Sequence, residues 1–128
     1  MSHGTFATAI NCMDGRVQDA VKDYMKGNYG VDYVDAVTEP GPIKILADNA
    51  NSAIIENIKK RVAISVEKHG SKVIAIVGHH DCAGNPVAKD EQIKHLADAK
   101  KVVENFKFPA EVILLYVEGD WKTVERVK

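Results

Sequence analysis

The chain has 128 residues, 45% of them apolar and 27% charged, with a formal net charge of −1. That length suits one domain with a sizeable core, and the balance is that of an ordinary globular protein. It argues against a partner chosen by bulk charge, whether nucleic acid or an acidic membrane surface, and no apolar run approaches the roughly 20 residues that span a bilayer.

Met1-Ser2-His3-Gly4-Thr5 lacks the basic and apolar regions of a signal peptide, so the expected compartment is the cytoplasm. There the two cysteines are expected to be reduced, metal-bound or simply buried rather than joined. Thr5 to Asn11 is apolar and rich in strand formers, a first strand, and Cys12-Met13-Asp14-Gly15-Arg16 follows as a loop. Val17 to Lys26 carries apolar residues at helical spacing, stopped by Gly27-Asn28-Tyr29-Gly30. Val31 to Val37 is a second strand, and Asp32 and Asp35 within it point to a sheet edge. Thr38-Glu39-Pro40-Gly41-Pro42 is expected to continue neither strand nor helix, because its prolines lack donors and fix φ. Ile43 to Leu46 carries no clear period.

Asn51 to His69 predicts a long helix, with Ile54, Ile55, Ile58, Val62, Ser65 and Val66 in one stripe. Asn51 or Ser52 would cap its start and Gly70 its end. Lys72 to Val77 is the third strand, and it leads into Gly78-His79-His80-Asp81-Cys82-Ala83-Gly84. Lys89 to Phe106 predicts a helix facing inward through Ile93, Leu96, Ala97, Val102, Val103 and Phe106. Glu111 to Val117 is a fourth strand buried on both faces. After the turn Glu118-Gly119-Asp120, Trp121 to Val127 is expected to return as an antiparallel edge strand. There are no repeats or linkers, so residues 1–128 are expected to form a single domain.

Strands alternating with helices imply an α/β fold in three layers, a mainly parallel sheet covered by helices on both faces. Right-handed crossovers favour the order 2-1-3-4, with the C-terminal strand antiparallel at the edge. The switch point then lies between strands one and three, where ligands of open α/β sheets bind outside the carboxyl ends of the strands. Cys12 follows strand one and the His79-x-x-Cys82 loop follows strand three. Cys12, His79 and Cys82 would make a zinc site of two thiolates and one imidazole, with a fourth position open to water. Zinc would lower the pKa of that water to near neutrality. Arg16 can fork onto Asp14 and keep it ionised. Asp14 would then either orient the water or close the site as a fourth ligand.

Cys12-Met13-Asp14-Gly15-Arg16 resembles the Cys-x-Asp-Ser-Arg motif of the β-class carbonic anhydrases. Val77-Gly78-His79-His80-Asp81-Cys82-Ala83 resembles their Gly-His-x-x-Cys-Gly motif. The order of the motifs and the topology around them also agree. The resemblance implies zinc on Cys12, His79 and Cys82, an Asp14–Arg16 catalytic dyad, and reversible hydration of carbon dioxide to bicarbonate by a metal-bound hydroxide. It implies a homodimer or higher homo-oligomer. Three departures stand out: Gly15 replaces the usual Ser, Ala83 the usual Gly, and Thr38 to Pro42 replaces an Arg-Asn-Ala-Gly stretch that helps to build the substrate pocket. The chain starts at strand one, so exchange of N-terminal arms between subunits is not expected.

Alternatives follow from the same residues. One is a zinc hydrolase of a related small molecule, carbonyl sulfide or carbon disulfide. Another is a non-catalytic zinc domain closed by Asp14. Thiol redox chemistry has little support without a Cys-x-x-Cys. Elsewhere the plain readings are preferred. His80 is a loop residue, or else a solvent-side proton shuttle. Asp81 bonds within its loop or supports a ligand. His69 bonds helix-terminal carbonyls, His95 is solvated, and His3 is a tail or tag remnant. Lys59-Lys60-Arg61 and Lys100-Lys101 are solvated helix faces.

Overall fold

The computed structural model describes residues 4–128; His3, expected in a tail, lies outside them. Five strands form one sheet: β1 (Phe6–Cys12), β2 (Tyr33–Glu39), β3 (Val73–His79), β4 (Glu111–Val117) and β5 (Val124–Val127). Their order is β2-β1-β3-β4-β5, parallel except for β5, which pairs antiparallel with β4. The expected topology therefore holds, with β2 at an edge. Four helices join them: α1 (Gln18–Tyr29), α2 (Pro42–Asp48), α3 (Ser52–Ala63) and α4 (Lys89–Glu104). No helix among the described residues is long and apolar enough to cross a membrane.

The strand period of two divides the core. Ile74, Ile76, Leu114 and Tyr116 face α2, α3 and α4, packing on Leu46, Ile58, Val62, Leu96 and Val103. Val73, Ala75, Val77, Ile113 and Leu115 face the other way, onto Val17, Val21 and Met25 around α1. Burying each large aliphatic side chain contributes about 1.5–3 kcal/mol. The three layers thus follow from alternation within the sheet and a stripe on each helix.

Local differences from expectation have local causes. Thr38 and Glu39 continue β2, paired with Asn11 and Cys12. Arg61 of α3 reaches the Thr38 carbonyl and pairs with the Glu39 carboxylate. Pro42 opens α2 because the first helical N–H has no partner in any case. Only Pro40 and Gly41 turn the chain, Gly41 with φ 63°. Helix α1 runs past Gly27 to Tyr29, where left-handed Gly30 caps it. Asn51 caps α3 by accepting from the Ile54 N–H, and Ile64–Lys68 closes that helix as a wider π turn before Gly70, φ 72°. The main-chain N–H of His69 donates to the helix-terminal Ile64 carbonyl at 3.2 Å, while its imidazole turns elsewhere. Its Nδ1 lies 2.6 Å from Asp35 Oδ2 and its ring stacks on Phe6. On α4, Ala97 faces solvent, while Gln92 and Ala99 point inward. The return strand begins only at Val124, because residues 120–123 are tied into a turn by Asp120.

Candidate metal centre

The two central strands part near their carboxyl ends. β1 pairs with β3 from Thr8–Ile74 to Ile10–Ile76, while β1 stays on β2 to Cys12 and β3 stays on β4 to His79. The crevice between them receives Cys12 from β1, His79 from β3 and Cys82 from the following loop. The three donor atoms lie within 4.8 Å of one another, and the two sulfurs are 3.9 Å apart. All three residues are buried, at 4%, 1% and 5% exposure respectively.

The imidazole is already oriented. His79 Nδ1 lies 2.7 Å from the His80 carbonyl oxygen, a bond in which the ring nitrogen must donate. That leaves the lone pair on Nε2, which is buried and has no hydrogen-bond partner. An orphaned acceptor beside two free thiols is costly as it stands and is satisfied by a cation. The sulfurs are too far apart for a disulfide. Burial pushes the Cys82 thiol up, and neighbouring Cys12 adds to this, while backbone N–H groups of Gly84 and Asn85 act the other way. A bound cation would reverse that balance and hold both as thiolates. Cys12, His79 and Cys82 could therefore hold a metal ion.

Asp14 and Arg16 stand beside the trio. Asp14 caps the single 3-10 turn Gly15–Val17 by accepting from the Arg16 N–H at 2.9 Å. The Arg16 side chain returns to the same carboxylate through Nε at 3.1 and 3.2 Å and Nη2 at 2.7 Å. These bonds hold the Asp14 carboxyl at about 2, against the opposing effect of burial. Arg16 also reaches Asp81, through Nη1 to Oδ2 at 3.4 Å and Nη2 to the main-chain oxygen at 3.1 Å. A Cβ on Gly15 would meet nothing within 4 Å, so the Ser-to-Gly departure is not forced by space.

Three contributors escaped the sequence reading. Gln92, buried on α4, accepts from the His79 N–H at 3.0 Å and donates to the His79 carbonyl at 2.7 Å. It replaces a neighbouring strand where β1 has turned away. Gly78 makes room for it, since a Cβ there would lie 2.8 Å from Gln92 Oε1. Asn85 is buried and its Nδ2 lies 3.0 Å from His95 Nδ1, so His95 is partnered rather than solvated. The indole of Trp121 covers Arg16. The helical spacing of Gln92, Leu96, Ala99 and Val103 was the available signal for the first. His80 is exposed, with its ring near Trp121.

The Thr38-to-Pro42 segment does meet the Cys82 loop. A Cβ on Gly84 would lie 2.4 Å from the Pro40 carbonyl carbon, and one on Gly41 would lie 2.7 Å from that of Gly84. The two backbones touch, so the close approach falls to Gly84 while Ala83 is free to carry a side chain.

A family model described as "Putative carbonic anhydrase" matches residues 2–128. No curated protein matches the chain by sequence. Among solved structures, the carbonic anhydrase from Streptococcus mutans aligns with TM-score 0.63 at 14% identity, covering 95% of this chain and 81% of that one. The β-carbonic anhydrase isoform I of the protozoan Trichomonas vaginalis aligns with TM-score 0.52 at 16% identity, over 99% and 85%. The β-carbonic anhydrase of the fungal pathogen Aspergillus fumigatus gives 0.51 at 14%, over 99% and 76%. At these identities the structural likeness is one of fold.

Proposed function

The chain belongs to the carbonic anhydrase family, as a divergent member of the β class, and from that premise we propose that it is a zinc enzyme hydrating carbon dioxide reversibly to bicarbonate and a proton. The observation that carries the proposal is the Cys12–His79–Cys82 trio with its orphaned imidazole nitrogen. Two sulfurs each about 2.3 Å from a tetrahedral zinc are roughly 3.8 Å apart. The sulfurs here are 3.9 Å apart.

Cys12 Sγ, Cys82 Sγ and His79 Nε2 would hold the ion. When bound, zinc supplies the Lewis acidity that makes a water molecule acidic near neutral pH. Asp14, kept ionised by Arg16, is an acceptor-only group. It would take the hydrogen bond of the attacking water and turn the water's lone pair toward the carbon of carbon dioxide. A carbon–oxygen bond forms, one carbon–oxygen π bond opens, and the surplus proton passes to solvent. Both Asp14 oxygens are occupied by Arg16, which supports an open site over one closed by Asp14.

Metal analysis and a carbon dioxide hydration assay on one sample test the proposal. About one zinc per chain with turnover above the buffer blank is expected. Zinc-free protein, or zinc protein no faster than the blank, would overturn it. The altered wall at Pro40-Gly41 favours one second reading, hydrolysis of carbonyl sulfide or carbon disulfide. Consumption of either by a protein inert to carbon dioxide would establish that reading instead.

A further inference from the structure

Arg16 is the exposed member of the dyad, with 44% of its side chain open to solvent. Exposed ion pairs do little to hold a long side chain in one rotamer. Yet this guanidinium is flanked on three sides: Asp14 takes one edge, Asp81 takes another, and the Trp121 ring centroid lies 4.1 Å from Cζ. The same indole lies 6.2 Å from the His79 ring and 6.1 Å from the His80 ring, centroid to centroid.

The backbone under that indole is unusual. Four non-glycine residues among those described have positive φ: Asn49, Asp81, Lys107 and Trp121. Two of them, Asp81 and Trp121, touch Arg16. Aspartate tolerates the left-handed region, but a bulky side chain there is an outlier that its surroundings must enforce. Asp120 enforces it. Its Oδ1 accepts from the N–H groups of Lys122 and Thr123 at 2.9 and 2.8 Å, and its Oδ2 accepts from Thr123 Oγ1 at 2.6 Å. Trp121 N–H donates to the Glu118 carbonyl at 3.0 Å and Glu118 N–H to that of Thr123 at 2.9 Å. A turn that only reversed the chain between β4 and β5 would be served by glycine at this position. The tryptophan adds a π face for a cation.

We propose that Trp121 is a positioning residue: the tied turn holds its indole over Arg16, and the indole keeps Arg16 forked onto Asp14. The claim rests on the dyad's role above, and its test separates the two. Arg16 Nε–H donates to both Asp14 oxygens, so its exchange with water in nitrogen-15-labelled protein reports how often the fork opens. Trp121→Leu removes the π face and keeps apolar bulk, whereas Trp121→Phe keeps the face. Exchange is expected to rise about tenfold in the Leu variant and to stay within about twofold in the Phe variant. Turnover should fall about tenfold in the Leu variant at unchanged zinc content, and recover in the Phe variant. Unchanged exchange in Trp121→Leu, or turnover lost only in step with zinc, would overturn the proposal. If the Leu variant does not fold, the chain's single tryptophan serves as its own probe. Acrylamide quenching should rise about twofold in Arg16→Ala, and an unaltered value would overturn the contact. A wild type inert to carbon dioxide would refute the function while leaving the exchange measurement to decide the positioning.

Discussion

Gln92 shows how one amide can serve a candidate metal site without touching its donor atoms. His79 is the last residue of β3, and its N–H and carbonyl point to the side from which β1 has withdrawn. In a continuous sheet those groups would be paired by the neighbouring strand. Here the Gln92 side chain supplies one acceptor and one donor, at 3.0 and 2.7 Å, and so fixes the main chain from which the imidazole projects. Gln92→Leu fills similar space and removes both bonds. It leaves two buried backbone groups unsatisfied, each costing about 1–3 kcal/mol. Chemical denaturation should show a summed loss of about 2–6 kcal/mol. Zinc affinity, measured by competition with a chelator, should fall about 10- to 100-fold, as when other groups that orient a ligand are removed. Unchanged affinity would mean that the His80 carbonyl, bonded to Nδ1, orients the ring alone. This residue was not legible beforehand because a lone glutamine within a charged helix reads as a solvated position. Only its spacing from Leu96, Ala99 and Val103 marks it as inward.

The legible elements are those decided by local pattern. Strand β4 runs from Glu111 to Val117 as expected, because six consecutive apolar residues, Val112 to Val117, bounded by Pro109 and Gly119 leave few alternatives. Sheet order follows from handedness and alternation, and that order by itself brings Cys12 to the His79 loop. What local pattern did not settle depends on contact between distant segments. Pro42 reads as a breaker until it is seen at the first turn of α2. Gly84 reads as the neighbour of an altered motif position until its backbone is found against Pro40 and Gly41. That contact yields a test of how the two loops are joined. Gly84→Ala drives a Cβ to 2.4 Å from a main-chain carbon, where no flexible side chain can give way. Overpacking of this kind typically costs about 1–3 kcal/mol. Gly15→Ser, with open space around it and no positive φ, should stay within about 0.5 kcal/mol of wild type. Thermal melts of the two variants side by side measure the contrast. Equal melting temperatures would show that the 38–42 segment yields without cost.

At the scale of the whole molecule, the site joins pieces of chain that the sheet itself lets go. The strands β1 and β3 separate after Ile10 and Ile76, and Cys12, His79 and Cys82 close that gap. Without an ion, the closure consists of two free cysteine side chains and an orphaned imidazole nitrogen, all buried. The metal should therefore stabilise the native state as well as serve the chemistry, since a ligand bound only by the folded form adds RT ln(1 + [L]/Kd). With free zinc a thousandfold above Kd this is about 4 kcal/mol. For a chain of this size, that corresponds to a melting temperature higher by about 10 °C or more. Removal of zinc with a chelator should lower the melting temperature by that amount, and readdition should restore it. Two variants then divide the site by role. Cys82→Ser removes a proposed ligand thiolate and should melt near the chelated protein whether or not zinc is present. Asp14→Ala should keep nearly the full zinc-dependent rise while losing turnover, because Asp14 stands outside the donor trio and bonds to Arg16. A zinc-dependent rise that vanished in Asp14→Ala would instead place its carboxylate on the metal and turn the centre from an open site into a closed one.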